Sequence, residues 1–265
     1  MATIASASVA AALAALPYQT RTGTGARVIV AAHRGGAGDA PENTLLAFRR
    51  AMRLGADYVE LDVRETSDGG LVLMHDRTVD RATNGSGEVA SLTSRQVADL
   101  RVRAVDGKSV TRERVPTFEE AVKLCRGRIG LYVDHKSAPV AKVLATLDRH
   151  RFRDRVVVYG GLGTLREYRR LRPDLLLMPG HPDSADAMAR VVSELKPLAL
   201  DGHATDWSTD QVAEAHRLGA TVWMDVMGPT DSDEGYAGAV AMGADAIQTD
   251  YPGRLIHWLR THGRR

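Results

Sequence analysis

Residues 27–63 read RVIVAAHRGGAGDAPENTLLAFRRAMRLGADYVELDV. A β-branched run at 28–32 is followed by a glycine-rich turn, then by helical spacing that begins near Asn43, behind Pro41, and stops at Gly55. The run at 57–63 reads as the next strand. Strand, helix, strand is one βαβ unit, and the pattern continues to the end of the chain. Further strands are predicted at 129–134, 156–159, 175–178, 198–200, 221–226 and 245–249. The helices that follow begin near Thr117, Ala138, Thr164, Ser184, Thr209, Asp233 and Pro252. Gly219 and Gly243, like Gly55, stand where a helix should stop. Eight such units predict an α/β fold of the (β/α)8 TIM barrel type. Gly35-Gly36-Ala37-Gly38 weakly suggests a dinucleotide turn, but the matching acidic residue at the end of the next strand is missing. Residues 64–116 are too long for a plain βα loop. They predict a small insertion after the second strand, with a short strand at 71–74.

The chain has 265 residues, 44% apolar and 26% charged, which is globular usage. Lys+Arg 35 against Asp+Glu 33 leaves a net charge of +2, so no charge bias points to nucleic acid. The single cysteine, Cys125, excludes an internal disulfide and a cysteine-based zinc site. No apolar run approaches the roughly 20 residues that span a bilayer, so no stable membrane insertion is expected. Residues 1–26 read as a separate segment, either a helix and Thr/Gly linker or an atypical signal, ahead of a barrel over 27–265. The apolar octet at 9–16 lacks the preceding cationic residues of a secretory signal. A cytoplasmic location is therefore expected, or a secreted or periplasmic one if 1–25 are a signal.

Active groups of such barrels sit at the C-terminal ends of the strands. There the sequence places His33-Arg34, then Glu60 and Asp62 two apart on one face, then Asp134 and Lys136 at matching parity. Val59, Leu61 and Val63 take the opposite face. His75-Asp76 follow the short strand of the insertion, Trp223 and Asp225 lie late in the seventh strand, and Thr249-Asp250 close the eighth. Three carboxylates at one barrel mouth repel each other, at about 4 kcal/mol per pair at 4 Å and an effective dielectric near 20. A divalent cation would offset this, and an all-oxygen donor set favours Mg²⁺, Ca²⁺ or Mn²⁺ over Zn²⁺. A buried salt-bridge network around Lys136 fits the same pattern. His33 and His75 are a candidate acid–base pair. His181 and His203, after the fifth and sixth strands, could rim the site. His135 should face the helices, and His150, His216, His257 and His262 should be solvated.

The segments AHRGGAGDAPENTLLAF (32–48), GADYVELDVRETSDGGLVLMHDRTVDRATNGSGEV (55–89), VPTFEEAV (115–122), LYVDHK (131–136) and GADAIQTDYP (243–252) resemble the glycerophosphodiester phosphodiesterase family. The resemblance runs from about residue 28 to the last helix. It rests on His-Arg-Gly, Pro-Glu-Asn-Thr, Glu-x-Asp and His-Asp in this order and spacing. It implies a barrel related to phosphatidylinositol-specific phospholipases and metal-dependent hydrolysis of glycerophosphodiesters to sn-glycerol 3-phosphate and an alcohol, through a cyclic phosphate. It implies His33 and His75 as catalytic histidines, Arg34 and Lys136 as phosphate-binding groups, and Glu60, Asp62 and Asp134 as ligands of a divalent cation.

The sequence departs from the family pattern twice. Asp134 stands where most members carry Glu. The seventh strand reads VWMDVMGPTD (222–231), which leaves Trp223 as either a substrate-binding residue or a core aromatic. The partner expected is a small-molecule glycerophosphodiester; the oligomeric state is not legible. Two rival readings follow from the same residues. One is lysophospholipase D or phospholipase D action on intact lipids, which the polar stretches 82–100 and 228–238 disfavour. The other is a binding barrel with a remnant site, which the presence of both histidines and all three carboxylates disfavours.

Overall fold

The computed structural model describes residues 26–265. The expectations for the N-terminal segment fall on 1–25, outside the described residues. The elements are β1 Ile29–Ala32, α1 Leu45–Leu54, β2 Tyr58–Glu65, β3 Leu71–Leu73, α2 Ser94–Asp99, β4 Arg101–Arg103, β5 Val110–Arg114, α3 Phe118–Cys125, β6 Gly130–Ser137 and α4 Val140–Arg149. They continue with β7 Val156–Tyr159, α5 Leu162–Leu171, β8 Leu176–Met178, α6 Ala185–Leu195, β9 Ala199–His203, α7 Thr209–Arg217, β10 Thr221–Asp225, α8 Asp233–Met242, β11 Ala246–Thr249 and α9 Pro252–Thr261. The main sheet runs β8-β7-β6-β2-β1-β11-β10-β9, so each barrel strand neighbours the next one along the chain. A bridge between Gly180 and Asp201 joins β8 to β9. Eight parallel strands with intervening helices make this a (β/α)8 barrel, as the repeated βαβ pattern predicts.

Two compact units divide the chain. One comprises Val30–Val156 with Thr249–Ile256. Here β2 pairs with β1 and β6, and Val59, Leu61 and Val63 are fully buried beside Leu131 and Val133. The insertion builds its own small core from Val72, Met74, Val79, Val89, Val97, Val102 and Val115. In the other unit, which includes Val157–Gln248, β9 pairs with β10 and β10 with β11, around Leu177, Leu200, Val222 and Met224.

Local signals set the element ends. Thr44 accepts a hydrogen bond from Ala47 N and caps α1, and Gly55, at φ 93°, ends it in the left-handed region. The helix thus starts at Leu45 rather than near Asn43. Asn43 itself sits at φ 55°, a conformation that Asn tolerates better than most residues and that cannot start a helix. α4 starts at Val140 because Pro139 occupies its cap, and α5 starts at Leu162 after Gly161, two residues before the expected Thr164. β6 and β9 extend past the predicted ends into polar residues, since ladder pairing continues where the apolar pattern stops. Besides β3, the insertion holds α2 and the β4–β5 hairpin, whose charged strands hide the period-2 signal.

Candidate active site

The site lies within the unit that contains β1, β2 and β6. Parallel pairing of β2 with β6 sets Glu60 opposite Tyr132 and Asp62 opposite Asp134. Alternation puts Glu60 on the same face as Asp62. Ligand atoms of Glu60, Asp62 and Asp134 lie within 4.8 Å of one another. Glu60 and Asp62 are 2% and 1% exposed.

Their neighbours hold this cluster in place. The backbone N–H of Arg34 donates to Glu60 Oε2 at 2.7 Å. That N–H is aimed by a tight turn, with Arg34 at φ 48° and Gly35 at φ 86°. A Cβ on Gly35 would lie 2.7 Å from the Ala47 side chain, so only glycine lets the turn pack on α1. Asn43 Nδ2 donates to Asp62 Oδ2 at 2.7 Å, and Asn43 Oδ1 accepts from Asp62 N at 3.2 Å. Lys136 Nζ donates to Asp134 Oδ2 at 2.6 Å and lies 3.3 Å from Asp62 Oδ1.

Burial, then the charges of Asp62 and Asp134, push the Glu60 carboxyl well above the usual carboxylate range. Burial and the Asp62 charge raise Asp134 as well, against the pull of Lys136. Burial opposes the charge on Lys136, but Asp134 and Asp62 outweigh it and raise the ammonium pKa. Asp62 Oδ1 is buried, makes no hydrogen bond among the described residues and is met only by the ion-pair contact of Lys136. With the carboxylates of Glu60 and Asp134 beside it, Asp62 completes a hard-donor set that fits a divalent cation of the Mg²⁺, Ca²⁺ or Mn²⁺ kind.

Each candidate histidine is backed by a carboxylate through the same nitrogen. His33 Nδ1 bonds Asp250 Oδ1 at 2.7 Å, and His75 Nδ1 bonds Asp76 Oδ1 at 2.7 Å. With Nδ1 engaged, Nε2 is left as the nitrogen that can take or give a proton. His75 is near enough to the carboxylates for its charge to lower Asp134. Its backbone is also clamped, because Arg64 Nη2 donates to the His75 carbonyl at 2.6 Å.

A chain of ion pairs connects Arg34 to His75. Arg34 Nη1 donates to Glu42 Oε1 at 3.2 Å. Arg81 donates to both Glu42 oxygens at 2.7 Å and to Asp76 Oδ2 at 2.6 Å. Burial would raise Asp76, but hydrogen bonds from Arg81 and His75 prevail and hold it at about 2. Asn43, Glu42, Arg81 and Arg64 were not singled out from the sequence. Pro-Glu-Asn-Thr contains two of them, yet only the fold shows what they hold.

The structure therefore brings together His33, Arg34, Glu60, Asp62, His75, Asp134 and Lys136. Trp223 and Asp225 lie on β10 in the other unit, where Trp223 is 2% exposed and packed as a core aromatic, and Asp225 accepts from Gln248 Nε2 at 2.5 Å. In that unit His181 packs edge-on against Trp207, and His203 Nδ1 lies 4.0 Å from Asp225 Oδ2. Two histidines expected to be solvated are not: His150 bonds Glu119 at 2.8 Å and His216 bonds Asp245 at 2.7 Å. A helix surface position does not reveal a carboxylate that arrives from another element.

This arrangement defines a class: a barrel with an oxygen-donor cluster at its strand ends, flanked by basic groups and carboxylate-backed imidazoles. Residues 33–143, which hold all the grouped residues except Asp250, match the model of the Glycerophosphoryl diester phosphodiesterase family. A glycerophosphodiester phosphodiesterase of Caldanaerobacter subterraneus is 38% identical over 56% of this chain and 65% of its own length. Mouse glycerophosphodiester phosphodiesterase 1 is 50% identical over 42% of this chain and 34% of its own. This chain thus spans less than two thirds of either relative. The crystal structure of a glycerophosphodiester phosphodiesterase from Agrobacterium tumefaciens superposes with a TM-score of 0.76 at 26% identity, over 86% of this chain and 99% of that one. Over residues 33–143 the chain is therefore similar to the glycerophosphoryl diester phosphodiesterase family, and that segment carries the carboxylates and both histidines.

Proposed function

We propose that this chain hydrolyses glycerophosphodiesters to sn-glycerol 3-phosphate and an alcohol, with a divalent cation held by Glu60, Asp62 and Asp134. The observation that carries this reading is the convergence of those three carboxylates in the family-matched segment that also bears two carboxylate-backed histidines. When bound, the cation supplies charge neutralisation and lowers the pKa of a substrate hydroxyl. The chain's own residues do the rest. Arg34 and Lys136 offer charged donors to phosphoryl oxygens. Nε2 of one histidine takes the proton of the attacking glycerol hydroxyl, and Nε2 of the other protonates the leaving alcohol. A cyclic glycerol phosphate forms, and water opens it with the two roles exchanged. Asp250 and Asp76 hold the rings and stabilise whichever imidazole is charged. A small-molecule substrate needs no membrane span, and no helix among the described residues is long and apolar enough to cross a bilayer.

The decisive assay compares glycerophosphocholine with lysophosphatidylcholine across Mg²⁺, Ca²⁺ and Mn²⁺, with products identified. Release of glycerol 3-phosphate from the water-soluble diester is the expected result. Turnover of the lipid alone would replace this reading with a lysophospholipase D.

A further inference from the structure

The β4–β5 hairpin of the insertion has one face covered and one bare. Val102 is buried in the insertion core, and Thr111 Oγ1 donates to the Val102 carbonyl at 2.8 Å. The other face follows from the register, in which Arg101 stands opposite Arg114 and Arg103 opposite Val110. Alternation along β5 adds Arg112 to that side. That side thus carries four arginines, Arg101, Arg112 and Arg114 exposed and Arg103 half-buried beside an irregularity in the ladder, and Lys108 sits in the turn between the strands.

Little acidity offsets this charge. Residues 101–114 contain Arg101, Arg103, Lys108, Arg112 and Arg114 against Asp106 and Glu113, a net +3 (5 − 2) in a chain whose total is +2. Asp106 is taken up by the turn itself, accepting from Lys108 N and Ser109 N, each at 2.8 Å. Glu113 lies on the opposite side of β5. Arg114 pairs with Glu120. Arg101 donates to backbone carbonyls at the end of α2, and Arg103 to that of Lys108, so neither is paired with a carboxylate among the described residues. Arg112 and Lys108 pair with no carboxylate among the described residues. Like charges directly opposite in a ladder are destabilising, so the Arg101–Arg114 pairing does nothing for the hairpin itself.

Two apolar side chains accompany the charge. Val105 is 51% exposed and Val110 49%, among the few large apolar residues that reach solvent in the described chain. We propose that this hairpin face docks the protein peripherally on an anionic lipid surface, the arginines and Lys108 facing headgroup phosphates while Val105 and Val110 enter the interface. Basic residues near such a surface each add attraction that salt screens, and exposed apolar groups beside them favour a bilayer over a nucleic acid. Attachment is peripheral and concerns where the protein works, not which bond it breaks.

The test is co-sedimentation of the full chain with vesicles of phosphatidylcholine containing about 30% phosphatidylglycerol, against vesicles of phosphatidylcholine alone, at low and high salt. Binding is expected only with the anionic vesicles and should weaken at least about tenfold at high salt or in the Arg103→Glu/Arg112→Glu variant. Val105→Asp/Val110→Asp should also bind more weakly. Both variants should keep the wild-type melting temperature. No sedimentation with anionic vesicles, or binding unaffected by both variants, overturns the proposal. So does equal affinity for single-stranded RNA that survives the valine replacements. Sedimentation requires no turnover, so this result and the substrate assay can fail independently.

Discussion

Asn43 grips Asp62 from two sides, donating to its carboxylate at 2.7 Å and accepting from its backbone N–H at 3.2 Å. The left-handed conformation of Asn43, anchored by its own N–H on the Arg34 carbonyl, makes this two-way contact possible. It fixes Asp62 Oδ2 against Asn43 and leaves Oδ1 as the oxygen that Lys136 Nζ approaches at 3.3 Å.

Asn43→Ala removes that grip without touching a candidate cation ligand. Groups that orient metal ligands are worth about 10- to 100-fold in affinity. Titration of the metal-free protein with Mn²⁺ should show a loss of that size. Equal affinity in the variant would mean that Asp62 is held by β2 alone.

The two histidines should matter through chemistry rather than folding. His33→Ala and His75→Ala are each expected to lower kcat on glycerophosphocholine by roughly 10²–10⁴-fold, with melting temperatures near wild type. A variant that keeps full turnover takes its histidine out of the proposed mechanism.

Arg81 reaches His75 only through Asp76. Two charge-assisted links are lost in Arg81→Met, and kcat should fall by roughly tenfold or more while KM changes little. Arg81→Lys restores one positive charge but cannot serve Glu42 and Asp76 together, so it should recover activity only in part. A change confined to KM would instead place Arg81 in substrate binding.

Removal of divalent cations should abolish the proposed activity reversibly. Protein dialysed against EDTA is expected to lose nearly all activity and to regain it with Mg²⁺, Ca²⁺ or Mn²⁺. Full activity after chelation would leave the three carboxylates as a salt-bridge network around Lys136.

His216 provides a pH test away from the site. Its hydrogen bond to Asp245, opposed by partial burial, raises the imidazole pKa above the ordinary 6.5. A raised pKa in the folded state contributes stability that is complete below the unfolded value and fades as pH rises through the folded one. The melting-temperature deficit of His216→Gln should therefore be larger near pH 5.5 than near pH 9. A deficit that does not vary with pH would show that the pair is not charged in the folded protein.

The repeated strand–helix alternation, the threonine and glycine caps, and the order of His33-Arg34, Glu60-x-Asp62, His75-Asp76 and Asp134-x-Lys136 were all present in the sequence. They were legible because periodicity, capping and strand parity are local properties of neighbouring residues. By itself the sequence determined the barrel and named the candidate site residues. Only the tertiary structure decided what those side chains meet. The match of Asp62 to Asp134 depends on the register between β2 and β6, His33 finds Asp250 across 217 residues, and Glu42 finds Arg81 across 39. The same holds for the bare face of the β4–β5 hairpin, where charge hides the alternation that would have announced two strands. Pairings of this kind are settled when distant segments are brought together by burial of the core, and no local pattern encodes them.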